Sequence, residues 1–334
     1  MSSRLLIGGL WLFASMFTML ISIAQEEIPD RNFYIQNYIL DVRDYFEERT
    51  FQHTAGRYKD EEIKYRLHIP ENIRYGRKYP LIVHLHGAGE GGLDNIMSLF
   101  HLQTILPVLT GQKSQDFFLL VTQCHPETPG WNFRPATKDG SLDVLMAILE
   151  HVIEENPVDR KRLTVTGVSS GGAGVWTLLS GCPDTFAGAV PAASSAPSHI
   201  PRLTELKKTK IWAFNNKNDV QVNSDTVRAA MRMVNSSGGS MAFTECDVVF
   251  GKDGHNSWVP AMETYNCLRW MLAQKRGSWF SPPPGTIVYN KPRSLLLSLV
   301  THTLPLAIIV ILSISLSWGT VCELVSYTNQ MVWK

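Results

Sequence analysis

Neither sign of charge dominates this chain: charged residues make up 18% of its 334 positions and the net charge is +1. With lysines and arginines scattered rather than striped, the electrostatic case for a nucleic-acid partner falls away. No internal repeat is visible, which argues against a solenoid. Cysteine is sparse, at five. Cys124, Cys182, Cys246 and Cys267 lie in the central region and allow three disulfide pairings in an oxidising compartment, with free buried thiols as the alternative. His84 and His86 stand two apart on one strand face, but no further Cys/His cluster completes a metal site, so both read as structural and no metal is expected.

Charge is missing altogether from two stretches. Leu5 to Ile23 is uncharged after Arg4 and ends in Ser22-Ile23-Ala24 before Gln25-Glu26-Glu27, which predicts a secretory signal peptide over 1–24; an uncleaved signal anchor is the alternative. No Asp, Glu, Lys or Arg occurs between Arg293 and Glu323. Leu295–Trp318 is long enough for a bilayer, which needs ~20 apolar residues, so a transmembrane helix is expected over 294–322 with a short tail at 323–334. A GPI signal is the rival, but the polar tail continues where such a signal normally stops. Lys291 and Arg293 precede the run and only Lys334 follows it, so the orientation rests on the signal peptide and not on the positive-inside rule. The expected location is the secretory pathway, with a lumenal or extracellular domain on a single membrane pass; GPI-anchored or secreted protein is the alternative. Cys322, at the end of the run, is either a palmitoylation site or unmodified. Asn235-Ser236-Ser237 is a glycosylation sequon in a Gly/Ser-rich turn.

Between these ends the organisation is a mixed N-terminal extension at 25–48, a domain at 49–276 and a Pro-rich stalk at 277–293 carrying Pro282-Pro283-Pro284-Gly285. Arg49–Gln52 and Ile63–Ile69 read as strands, the second alternating as if one face were solvated. Pro80–Leu85 is continuously apolar, as a strand covered on both faces should be. Helical spacing follows over Ile96–Leu109, then a strand at Phe117–Thr122 and a helix carrying Leu142, Leu145, Leu149, Val152 and Ile153 on one face. Strands at Leu163–Thr166, Phe186–Val190, Ile211–Phe214 and Met241–Phe250 alternate with helices after Ser169, around Val222–Val234 and at Trp258–Ala273. This alternation predicts an α/β fold with a doubly wound, mostly parallel sheet and helices on both faces. Ligands of such sheets collect at the carboxyl ends of the strands.

Every chemically suggestive residue falls just past a strand. Gly167-x-Ser169-x-Gly171 sits between a strand and a helix, where a serine on a tight turn tolerates only side-chain-free neighbours two positions away. A serine hydroxyl needs a base, and the base needs a group to hold its tautomer. His255 follows the last strand and precedes the last helix. His199, the other histidine after Ser169 in this region, precedes every acid candidate. Asp219 follows the strand Ile211–Phe214; Asp225 falls within the next helix, Asp253 is too near His255 in sequence to reach round it, and a helix cap is the alternative role for Asp219. A tetrahedral intermediate needs two backbone N–H donors. Ser170 supplies one candidate, and the glycine-rich loop His86–Gly92 the other, at Ala88 or else Gly87. Trp131 and Trp258 are candidates for the substrate pocket, with core packing as the equal alternative.

These motifs resemble secreted α/β-hydrolases of the polyhydroxybutyrate-depolymerase, feruloyl-esterase and "predicted peptidase" group. The resemblance rests on Phe46–Phe51, Tyr65–Pro70, Tyr79–Val83, His86-Gly87-Ala88-Gly89-Glu90, Asp94-Asn95, Gln123-Cys124, Trp131, Thr166–Gly172, Phe186–Pro191 and Gly254-His255 with Trp258. It covers roughly residues 45–275 and implies the α/β-hydrolase fold. It also implies a serine esterase that needs no cofactor and takes a small-molecule or polymer-linked ester. A peptidase or thioesterase on the same triad is the alternative within the enzyme class, and a non-catalytic binding or adhesion ectodomain the alternative outside it. Two features depart from the group: Asn215-Asn216 stands where His-Gly often precedes the acid, and a C-terminal membrane anchor is unusual there.

Overall fold

The computed structural model describes residues 39–288 except 60, 110–115, 128–129, 184, 198–204, 248–253, 264–265 and 279–286. The segments expected as signal peptide, membrane helix and tail, most of the stalk, His199, Asp253 and Cys322 lie outside the described residues. No helix among the described residues is long and apolar enough to cross a membrane.

Nine strands form one sheet in the order β1-β2-β4-β3-β5-β6-β7-β8-β9. They are β1 (Glu47–Gln52), β2 (Glu62–His68), β3 (Tyr79–Leu85), β4 (Phe118–Val121), β5 (Val158–Val168), β6 (Gly188–Ala192), β7 (Lys210–Asn216), β8 (Ser240–Cys246) and β9 (Ile287–Val288). β2 runs antiparallel to both β1 and β4, and every pairing from β4 across to β9 is parallel. The helices are α1 (Leu40–Arg43), α2 (Leu106–Leu109), α3 (Ser141–Glu155), α4 (Ser170–Gly181), α5 (Ser224–Ser236), α6 (Trp258–Glu263) and α7 (Cys267–Ala273).

Strand alternation sorts the core into two layers. Leu81, Val83 and Leu85 of β3 join Phe118 and Leu120 of β4 under α3, α4 and α5, through Leu145, Leu149, Trp176 and Val227. Ile82, with Leu119 and Val121, faces the other way, onto Leu99, Leu102 and Ile105 and onto Ala261, Leu268 and Leu272 of α6 and α7. Both faces are thus covered, which is why β3 and β4 read as unbroken apolar runs.

Three local expectations fail for identifiable reasons. Tyr65–His68 of β2 is buried where a half-solvated strand was expected, because the N-terminal segment lies over it. Ile39, Val42 and Phe46 are buried, the Tyr45 carbonyl meets His68 Nδ1 at 2.9 Å, and Arg66 bonds Glu48 and the Asn95 carbonyl. The expected helix at 96–109 is a 3₁₀ segment, Met97–Ile105, before the single turn of α2. Its apolar residues Ile96, Leu99, Leu102 and Ile105 recur every three positions, the 3₁₀ repeat. The helix expected over 258–273 is broken into α6 and α7, with Asn266 in left-handed conformation (φ 51°) accepting the Arg269 N–H as an N-cap.

Candidate active site

Between β5 and α4 the chain turns on Ser169, whose φ of 54° and ψ of −116° are strained for a residue with a side chain. Neighbouring backbone holds it there: its N–H donates to the Ala192 carbonyl at 3.0 Å, and its carbonyl accepts the Ala173 N–H at 3.0 Å. A Cβ on Gly167 would collide with Gly171, and one on Gly171 would collide with the carbonyls of Leu85 and His86. The second glycine therefore does more than relieve the turn. It lets the first turn of α4 rest directly on the carboxyl end of β3, beside the glycine-rich loop.

Two further loops meet Ser169. His255 Nε2 lies 2.8 Å from Ser169 Oγ, and His255 Nδ1 lies 2.8 Å from Asp219 Oδ2. A carboxylate only accepts, so Nδ1 carries the proton and Nε2 is left to accept from the serine hydroxyl. The Asp219 side chain is fully buried, and its other oxygen accepts the Gln221 N–H at 2.9 Å. The rival Asp225 sits on α5, highly exposed and paired with Arg228 at 2.8 Å. Gly254, at φ 70°, gives the base loop its approach, since a Cβ there would stand 2.9 Å from the Asn218 carbonyl.

Sequence reasoning missed how the base loop is pinned. Asn216 Nδ2 donates to the Gly254 carbonyl at 2.6 Å and to Asn256 Oδ1 at 2.8 Å, bracketing His255. Ser257, fully buried, donates to the Phe214 carbonyl and accepts the Ala193 N–H, each at 2.8 Å. Asn215 accepts the Ser194 N–H at 3.1 Å and so ties β7 to the end of β6. The Asn215-Asn216 pair is a signal the sequence carried, as a departure from the resembling group, but without its partners.

The glycine-rich loop corrects one assignment. The Gly87 N–H donates to Glu90 Oε2 at 2.6 Å and is not free for an oxyanion. The Ala88 N–H has no hydrogen-bond acceptor among the described residues, and the Ser170 N–H, first in α4, has no intrahelical acceptor. Trp131 is packed as its core alternative had it, buried against Gly174 of α4 with its indole N–H on the His86 carbonyl at 3.0 Å. Trp258 is half-buried and stands between two imidazoles, its ring centroid 6.2 Å from His255 and 4.5 Å from His101. A cleft of about 380 Å³ adjoins the loop at Gly92 and Leu93, but none of Ser169, His255 and Asp219 lines it.

His86 is fixed as a neutral ring, its Nε2 accepting the Cys124 N–H at 3.0 Å and its Nδ1 donating to the Gly87 carbonyl at 2.7 Å. Burial pushes His84 down to about 3, so it too is neutral. Cys124, Cys182, Cys246 and Cys267 are all free, against the expectation of disulfides. Burial pushes the Cys124 and Cys246 thiols up to about 12, and Cys267 higher still, so these three are inert as nucleophiles. Asn235 holds the α5–β8 turn, its amide donating to the Met241 carbonyl at 2.9 Å and accepting the Met241 N–H at 2.8 Å.

Among solved structures, a thermostable esterase is 30% identical over 70% of this chain and 64% of its own length, with a TM-score of 0.61. The chain has the α/β-hydrolase fold. The prolyl oligopeptidase family model matches this chain over residues 130–234, the stretch that includes the turn at Ser169. An acylaminoacyl peptidase from Pyrococcus horikoshii shares the fold at 16% identity and a TM-score of 0.51, over 71% of this chain and 43% of the peptidase. A feruloyl esterase module from Clostridium thermocellum, complexed with sinapinate, shares it at 11% identity and a TM-score of 0.51, over 76% and 96%. The chain thus spans just under two thirds of the esterase and under half of the peptidase. No curated protein sequence matches it.

Proposed function

We propose that this α/β-hydrolase is a serine hydrolase of carboxylic esters. The observation that carries the reading is the unbroken chain Ser169 Oγ, His255, Asp219, with both contacts at 2.8 Å, on a strained turn. His255 takes the serine proton as Ser169 attacks the ester carbonyl. Asp219 holds the ring and stabilises the imidazolium, and the N–H groups of Ser170 and Ala88 receive the oxyanion. The imidazolium returns its proton to the leaving alcohol. Water, deprotonated by the same ring, then releases the acyl group from Ser169. No step calls for a cofactor.

The test is labelling of the folded protein by a fluorophosphonate probe, together with turnover of short p-nitrophenyl esters. Ser169→Ala should abolish labelling and lower kcat by three or more orders of magnitude. A folded wild-type protein that neither labels nor turns over esters or peptides overturns the reading in favour of a binding module. A second reading, a serine peptidase on the same groups, is favoured by the prolyl oligopeptidase match. Turnover of acylated dipeptide anilides in preference to esters would establish it.

We further propose a secretory location with a C-terminal tether over 294–322, supported by the two uncharged terminal runs. In protein made by secretory cells, an endoglycosidase should lower the apparent mass, and Asn235→Gln should remove that shift. A wild-type protein without a glycan counts against this location.

A further inference from the structure

Glu90 is a buried carboxylate three residues past Gly87, and the chemistry proposed above does not use it. It accepts two hydrogen bonds, from the Gly87 N–H at 2.6 Å and from His101 Nε2 at 2.9 Å, and is 7% exposed. Its carbonyl takes a third bond, from Gln123 Nε2 at 2.8 Å, so main chain and side chain are both fixed. Gly87 allows this closeness, because its Cβ position lies 3.2 Å from Glu90 Oε1 and 3.4 Å from His101 Nε2. At the tip of the same loop Ala88 and Gly89 are exposed, and Ala88 is the residue whose N–H finds no acceptor among the described residues.

The Gly87 N–H is taken by Glu90, while the Ala88 N–H, one residue along on the exposed turn, has no acceptor among the described residues. The first turn of α4, which follows Ser169, rests on the Leu85 and His86 carbonyls that lead into this loop. A bare carboxylate this close would oppose charge developing on an oxyanion. His101 offsets that by sharing the charge, and its ring is held edge-on to Trp258, the same indole that flanks His255.

We infer that Glu90 and His101 form a positioning dyad that preorganises the Ala88 half of the oxyanion hole. This deepens the proposed function and rests on it. The dyad touches no reacting atom, so its signature is in the transition state and not in substrate binding.

Glu90→Ala should lower kcat for p-nitrophenyl butyrate about a hundredfold while KM stays within threefold. The affinity for a trifluoromethyl ketone, which forms the oxyanion, should fall by the same factor as kcat/KM. Glu90→Gln should recover most of the loss, its amide oxygen accepting from Gly87 and its NH2 donating to the other His101 tautomer. If Glu90→Ala does not fold, His101→Ala carries the test, with a loss of about tenfold in kcat and in ketone affinity together. A folded Glu90→Ala or His101→Ala protein with wild-type kcat overturns the inference and leaves the serine chemistry standing. So does a loss confined to KM. A wild-type protein without hydrolytic activity overturns both.

Discussion

Asn216 shows how a residue outside the reacting trio can govern it. Its single amide nitrogen donates to the carbonyl before His255 and to the side chain after it, and the residue is almost fully buried. Truncation would leave the Gly254 carbonyl and Asn256 Oδ1 without that donor, a cost of about 1–3 kcal/mol in stability. It would also release the base loop, and a displacement of 1 Å in a reacting group costs up to about a hundredfold in rate. Asn216→Ala should therefore lower the denaturation midpoint and cut kcat ten- to a hundredfold with KM little changed, as urea titration and steady-state kinetics would show. A variant with unaltered kcat would mean that Ser257 holds the loop unaided. That Ser169, Asp219 and His255 converge was readable from their order and their positions past strand ends. The polar pins around them were not, because an asparagine's partners are set by tertiary contacts 38 and 40 residues away.

At the scale of elements, the sheet was legible and the helical connections less so. Continuous apolar runs at β3 and β4 predicted strands covered on both faces, and the two core layers account for them. Periodicity failed where two repeats lie close together. Residues 96–109 carry apolar positions compatible with 3.6 and with 3.0 residues per turn, and what selects the tighter form is a loop detail. Asp94 Oδ1 accepts the N–H groups of Ile96 and Met97 at 2.9 and 3.1 Å, while Asn95 between them takes a positive φ. Trp258–Ala273 reads as one helix because apolar spacing runs through it, yet Asn266 restarts the count by capping α7. Alternation misled as well: β2 alternates like a half-solvated strand, but the segment before β1 covers the face that alternation left open.

On the scale of the whole molecule, buried histidines set a pH dependence. His84 is fully buried, and neither ring nitrogen has a hydrogen-bond partner among the described residues. Its folded pKa of about 3 lies below the ordinary value of 6.5, so between those values the unfolded chain binds the extra proton. Stability therefore rises with pH across that window, is complete above about 6.5, and drains away as pH falls toward 3, at up to about 1.4 kcal/mol per pH unit. Burial lowers His68 in the same direction. His84→Leu, which removes the titrating ring from an apolar layer, should flatten the dependence: between pH 7 and pH 5 it should lose about 2 kcal/mol less than the wild type in urea unfolding. Equal losses in the two proteins would show that His84 is not the group responsible.

The bare Cα of Gly171 against the last carbonyls of β3 has a consequence for how such a molecule can change. That contact works as a gauge, setting the separation of serine and oxyanion loop by atomic radii that no side chain enters. The geometry around Ser169 is calibrated by the sheet, whereas what can approach it belongs to whatever the strand-end loops present. The two can be altered independently, so a different ligand can be fitted by rebuilding loops while the distances around the serine stay as they are.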